Sequence, residues 1–145
     1  MEPSCKFCEI ASRVLSSAIV FEDSVSLAFL DNRPLFPGHT LLIPKQHFET
    51  LEDLPAEVVG PFFTNVQVLA RAVESSMNAE GSFVAINNRV SQSVPHLHVH
   101  VVPRYADDPR PEWPFPFPEH DPPLFPDEQM RSDVARLRAD LAGRS

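Results

Sequence analysis

Three histidines stand at alternate positions in the segment Ser93-Val94-Pro95-His96-Leu97-His98-Val99-His100-Val101-Val102-Pro103-Arg104. Imidazole is the side chain that changes charge near neutral pH, attacks electrophiles and binds transition metals. In a β-strand alternate residues share a face, so His96, His98 and His100 would line one side at roughly 6–7 Å spacing. Leu97, Val99 and Val101 would line the other. The valines, and the prolines at 95 and 103, predict a strand that ends at both prolines. One face of that strand belongs to a core and the other to a site.

Three kinds of chemistry suit such a row. Neutral imidazoles at H-x-H spacing supply metal ligands. One imidazole can act as a nucleophile while its neighbours orient it and hold charge. A pH-sensitive interface is the third reading, and three histidines in register beside Ser93 argue against it. A second constellation, Cys5-Lys6-Phe7-Cys8, holds the only two cysteines of the chain. A thioredoxin-like redox pair needs a preceding strand, and none fits before residue 5. Half of a tetrahedral zinc site, or two reduced structural thiols, remain.

These groups need a scaffold. Ile19–Asp23 and Ser26–Asp31 read as two short strands joined in a hairpin, and His39–Pro44 as a more buried third. Between them, Asn32–Gly38 is a loop by its proline and glycine content. His39 and His47 flank the third strand. Asp53 is placed to cap a helix starting near Leu54 and Pro55. Val58, Val59, Phe62, Phe63, Val66, Leu69, Ala70 and Val73 give that helix an apolar face to about Met77, with Pro61 expected to kink or split it. Ser82–Asn87 reads as a fourth strand after Gly81, and the histidine segment as the fifth. Asp127–Leu141 reads as an amphipathic helix with Met130, Val134, Leu137 and Leu141 on one face.

At 145 residues, 43% hydrophobic and 22% charged, the chain is one ordinary globular domain. Nine of its sixteen prolines lie between Pro103 and Pro126, interleaved with Trp113, Phe115, Phe117 and Phe125. That stretch reads as an extended surface loop, with a PxxP partner ligand as the lesser alternative. A net charge of −8 argues against broad binding to nucleic acid or a membrane surface. A small anion is still admissible where Lys45, Arg89 or Arg104 joins the histidines, because the local field decides. No apolar run approaches 18 residues, and Met1–Ser4 lacks signal-peptide character, so a cytoplasmic location is expected.

Taken in order, C-x-F-C-x-I, F-L-D-x-x-P, P-G-H-T-L-L-I-P-K-x-H, I-N-N and Q-S-V-P-H-L-H-V-H-V-V-P-R span Cys5 to Arg104. Together they resemble the histidine triad (HIT) family of nucleotide hydrolases and transferases. The resemblance implies an α+β fold: a five-stranded antiparallel sheet with a central helix and a C-terminal helix, the sheet extended across a homodimer. Residues 1–104 would form the HIT core, with the 105–145 tail and helix packed on the same domain.

It also implies roles. His98 takes the place of the nucleophile that attacks the α-phosphorus and forms a nucleotidyl-histidine intermediate, which water then hydrolyses. His100 and His39 take the phosphate-contacting positions, and Ser93 lies near the leaving group. Asp31 matches the acidic residue that binds ribose hydroxyls, with Phe7, Ile10 and Phe29 at the base pocket. Asn87 and Gln92 match nucleotide-binding positions, and a purine nucleotide, adenosine by default, is the implied substrate. Some members hold structural zinc through positions that here are Cys5, Cys8, His47 and His96. No catalytic cofactor is implied. A transferase relative carries glutamine in place of the last triad histidine, so His100 favours hydrolysis. The sequence departs from the pattern at Asn88–Ser93, where the loop is short and lacks the usual glycine; Arg89 could supply charge there. A metal-dependent hydrolase using the triad as ligands, and a nucleotide-binding scaffold protein, stand as alternatives.

Overall fold

A computed structural model describes residues 5–108 and 127–143. The elements follow in the order α1 (Lys6–Ala11), β1 (Ile19–Glu22), β2 (Ser26–Leu30), β3 (Thr40–Pro44), α2 (Ala56–Ser76), β4 (Gly81–Ile86), β5 (Val99–Arg104) and α3 (Asp127–Ala142). The five strands form one antiparallel sheet, as the resemblance implies, and their order is β1-β2-β3-β5-β4.

β2 and β3 are buried at every position, because both faces of the sheet are covered. Ala28, Leu30, Leu42, Val99 and Val101 point to one face and meet Phe62, Val66, Leu69 and Val73 of α2 with Leu137 and Leu141 of α3. Leu27, Phe29, Leu41 and Ile43 point to the other, where Phe7 and Ile10 of α1 pack on them. The period of two along each strand therefore sorts residues between two cores. Asp23 closes the β1–β2 hairpin by accepting the Val25 and Ser26 N–H groups at 2.9 Å each.

Several expectations are corrected here. The fifth strand begins at Val99, so His96 and His98 precede it in irregular backbone, and Pro103 lies inside it. That proline is tolerated because β3 pairs β5 only as far as Val101, leaving β4 as the one neighbour beyond it. Asp53 does not cap the long helix. Its carboxylate takes the Thr50 N–H and Oγ1 at 3.0 and 2.9 Å, closing a 3-10 turn at Leu51–Asp53, and Pro55 is the residue that precedes α2. Pro61 does not split the helix, which runs unbroken through it. The carbonyl four residues before it, which a proline cannot pair, belongs to Glu57 on the exposed side of the first turn, within reach of solvent. The helix at Lys6–Ala11 has no counterpart among the elements that the sequence pattern predicts. The third and fourth strands begin one residue from their expected starts, at Thr40 and Gly81. The aromatic and proline-rich residues 109–126, Trp113, Phe115, Phe117 and Phe125 among them, lie outside the described residues. Among the described residues no helix is long and apolar enough to cross a membrane.

Candidate active site and metal cluster

His96, His98 and His100 are buried, at 0%, 3% and 8% exposure, on the sheet face that carries Phe29 and Leu41. Burial lowers every triad pKa from 6.5: His96 to about 4 and His100 to about 2, with His98 moved in the same direction. His39 is lowered to about 3, again by burial first and the neighbouring His98 second. All four rings are therefore neutral near pH 7, and each has one N–H and one lone pair. The hydrogen bonds decide which nitrogen is which.

His98 donates Nδ1–H to the His96 carbonyl at 2.8 Å, which leaves its Nε2 lone pair outward and nucleophilic. Phe7 presents an edge-on ring to it at 5.1 Å. His96 donates Nε2–H to the Pro44 carbonyl at 2.9 Å, so its Nδ1 lone pair faces the sulfurs of Cys5 and Cys8 at 3.4 and 3.5 Å. His39 accepts the Leu35 N–H on Nδ1 at 3.1 Å, which puts its own proton on Nε2, 3.1 Å from His100 Nδ1. His100 accepts there and carries its proton on Nε2. A directed chain runs from the Leu35 N–H through two imidazoles, ending in a donor.

Asp31 sits beside this chain, with Oδ2 3.6 Å from His39 Nε2 and Oδ1 accepting the Arg33 N–H at 2.9 Å. Burial raises its pKa, opposed by the Arg33 N–H and by His98, Lys6 and Arg33. Phe7 and Phe29 meet edge to face at 5.4 Å and, with Ile10, form an apolar wall on the same face of the sheet. Asn87 is buried just past the end of β4, and Ser93 is exposed in the loop before the triad.

A family model described as HIT domain matches residues 12–107. The chain belongs to the HIT domain family. A Bacillus subtilis relative, protein hit, is 39% identical over 105 residues, covering 71% of this chain and 72% of its own. Adenylylsulfatase HINT3 of Arabidopsis thaliana is 32% identical over 110 residues, covering 74% of this chain and 56% of its own. Among solved structures, a zinc-bound histidine triad family protein from Mycobacterium smegmatis superposes with a TM-score of 0.81 at 37% identity, covering 97% of this chain and 95% of that one.

In this HIT chain the four expected metal ligands converge. Cys5, Cys8, His47 and His96 offer ligand atoms that all lie within 4.8 Å of one another, and Cys8 Sγ is 3.3 Å from His47 Nδ1. Zinc bonded to sulfur at about 2.3 Å and nitrogen at about 2.05 Å in a tetrahedron separates the two by about 3.5 Å, so the donors are already spaced for it. Cys5 is the N-cap of α1 and Cys8 lies in its first turn, which places both sulfurs at one end of a six-residue helix. Asp31, His39 and His100 form a second group whose ligand atoms meet the same distance limit. That group is poorly suited to a metal. Its central nitrogen, His39 Nε2, bears the proton as long as Leu35 donates to Nδ1.

Gln92, expected at the nucleotide, and the candidate charges Arg89 and Lys45 are each engaged with protein groups. Gln92 donates to the Glu49 carbonyl at 2.6 Å and accepts the Arg89 N–H at 2.8 Å, bracing the short loop. Arg89 and Ser91 adopt positive φ of 67° and 61° where glycine is usual, and the Arg89 guanidinium leans toward Glu52 at 3.5 Å. Lys45 pairs with Glu22 at 2.7 Å and donates to the Asp23 carbonyl at 3.2 Å. The groups that sequence reasoning missed are backbone ones: the Leu35 N–H and the carbonyls of His96 and Pro44. Only the proline-framed Pro34–Gly38 loop hinted that a fixed turn stood beside His39.

Proposed function

We propose that this HIT protein hydrolyses a nucleoside phosphate derivative at its α-phosphate through a nucleotidyl intermediate on His98. The observation that carries the reading is the 2.8 Å bond from His98 Nδ1–H to the His96 carbonyl. It holds a neutral imidazole with the lone pair of Nε2 free for in-line attack. Nε2 forms a bond to the α-phosphorus while the bond to the leaving group breaks, and the departing oxygen or nitrogen takes a proton from solvent. Water then attacks the phosphorus, releasing a proton to solvent, as the P–N bond breaks and returns the neutral imidazole. Charge on the equatorial phosphoryl oxygens is met by the donor at the end of the His39–His100 chain. Asp31 is placed for ribose hydroxyls, which donate to a carboxylate, and Phe7, Ile10 and Phe29 for a purine, adenine by default. Ser93 stands where the leaving group would exit, with Asn87 on the phosphate side.

The adenylylsulfatase name of one relative supports an adenylyl-bearing substrate. In the same reading Cys5, Cys8, His47 and His96 hold zinc, which closes a structural site with no open position. The zinc-bound relative supports that assignment. We further place the protein in the cytoplasm, as a homodimer joined through β4, the sheet edge that exposes Val84.

The test is a panel of dinucleoside polyphosphates, nucleoside phosphoramidates and adenylyl sulfate, quenched early and read by intact mass. An adduct of one nucleotidyl group mapping to His98 is expected. Turnover without such an adduct, and unaffected by loss of the His98 imidazole, would overturn the reading.

A further inference from the structure

The loop ahead of the triad is braced from outside itself. Arg89 and Ser91 hold left-handed φ of 67° and 61° without glycine, a conformation that is costly for any residue with a Cβ. The Gln92 amide ties that loop down in two directions. Its Oε1 accepts the Arg89 N–H at 2.8 Å, and its Nε2 donates to the Glu49 carbonyl at 2.6 Å. An N–H needs an acceptor and a carbonyl a donor, so a single orientation of the amide serves both.

The Gln92 bond to Glu49 is one of three that join Asn88–Leu97 to Phe48–Leu51. Asn88 Oδ1 accepts the Leu51 N–H at 2.8 Å, and the Leu97 N–H donates to the Phe48 carbonyl at 2.7 Å. That last bond reaches the nucleophile. The Leu97 N–H and the His96 carbonyl belong to one peptide unit, which is planar and trans, so they point in opposite directions and turn together. On one side the unit donates to Phe48; on the other it accepts His98 Nδ1–H at 2.8 Å. The His96 ring is anchored on the Pro44 carbonyl, but through rotatable bonds that do not by themselves fix the plane of the peptide that follows. The Phe48 carbonyl does fix it. Phe48 is steadied in turn by the next peptide unit, Glu49–Thr50, whose carbonyl takes Gln92 Nε2 and whose N–H donates to Asp53 Oδ2 at 3.0 Å.

We propose that Gln92 is a positioning residue for His98: by pinning the Glu49 carbonyl it holds Phe48 against Leu97, and so keeps the His96 carbonyl on His98 Nδ1 with the Nε2 lone pair outward. A glutamine expected at the nucleotide thus acts here through the protein, on the tautomer of the attacking ring.

The experiment uses the full-length, zinc-loaded protein without nucleotide, ¹⁵N-labelled at histidine and held at neutral pH. In the wild type, His98 should show a protonated Nδ1 and an unprotonated Nε2. Gln92→Met fills a similar volume without either hydrogen bond, and Gln92→Glu keeps the acceptor for Arg89 while losing the donor to Glu49. Both should give a mixture of His98 tautomers, with kcat down about tenfold or more and the Kd for adenosine 5′-monophosphate changed less than about threefold, since small misplacements of a catalytic group fall mainly on the chemical step. Leu137→Ala removes packing from the larger core on the opposite face and should lower stability without altering the His98 shifts. Wild-type His98 shifts in Gln92→Met would overturn the proposal, and a weakened Kd beside them would mark Gln92 as a direct nucleotide contact. Wild-type shifts in Gln92→Glu would overturn the route through Glu49, and an equal tautomer change in Leu137→Ala, or an unchanged kcat beside a changed tautomer, would overturn the proposal as well. If Gln92→Met fails to fold, Gln92→Glu decides alone. The kinetic half rests on the hydrolase reading and the spectroscopic half does not. A wild type without turnover but with the tautomer change in the variants would therefore count against that reading alone.

Discussion

At the level of single residues, the arrangement comes down to which imidazole nitrogen holds a proton. His98 is kept neutral by burial, so kcat/KM should be flat above pH 6.5 and fall only at lower pH, measured as a pH–rate profile. His98→Ala should lower turnover by about a thousandfold or more while the circular dichroism spectrum stays that of the wild type. The same burial has a stability consequence. His39 and His100 titrate near 3 and 2 when folded and near 6.5 when unfolded. Below pH 6.5 the unfolded chain binds protons that the folded one does not, so stability is full above 6.5 and is lost as pH falls, by about 1.4 kcal/mol per pH unit for each ring. Asp31 and Asp133, raised by burial, oppose this just above pH 3.8, so urea midpoints should climb most steeply toward pH 6. The sequence made the histidines legible because their alternation needs no tertiary knowledge. It could not make the tautomers legible. Those depend on the Leu35 N–H and on the carbonyls of His96 and Pro44, and a backbone group has no letter of its own.

Among the elements, α1 shows what periodicity misses. Six residues are too few to display a helical repeat, so Lys6–Ala11 reads only as a cysteine motif. Yet this helix carries Cys5 at its cap, Cys8 in its first turn, and the Phe7 ring that meets His98. It is too short to persist without being tied down. On the proposed zinc assignment, chelation should therefore release α1 and lower the unfolding free energy by about 4 kcal/mol, relative to protein in zinc at a thousand times its Kd. Cys8→Ser should have the same effect on the urea midpoint without added chelator, and in both cases turnover should decline along with the loss of folded protein. Equal midpoints with and without metal would exclude a structural role for it. The longer elements were legible because α2 repeats its apolar positions over 21 residues and the buried strands are rich in Val, Leu and Ile. The misjudged points, Asp53 and Pro61, are local signals overruled by their surroundings: Thr50 engages the carboxylate, and Pro61 sits where the first turns of the helix are exposed.

For the molecule as a whole, the sheet order leaves β1 and β4 as its edges. Arg138 of α3 ties down the β1 side by donating to the Ile19 carbonyl at 3.0 and 2.6 Å, whereas β4 carries Val84 at 46% exposure. An edge with an exposed β-branched residue is a template for pairing. If the proposed homodimer joins through β4, the wild type should sediment as a dimer and Val84→Lys as a monomer in sedimentation equilibrium; a monomeric wild type or an unchanged mass in the variant would overturn that proposal. The two faces of the sheet also divide the labour of the fold. One face is sealed by α2 and α3 and holds the larger core; the other, under the six-residue α1, holds the histidines and the apolar wall. Substitutions at Phe7, Ile10 or Phe29 fall in the smaller core and the proposed base pocket, on the opposite face of the sheet from Phe62, Leu69 and Leu137. A lineage carrying this fold can thus vary what it recognises at the cost of the smaller core alone, while the larger core on the opposite face of the same strands goes on supplying most of the packing.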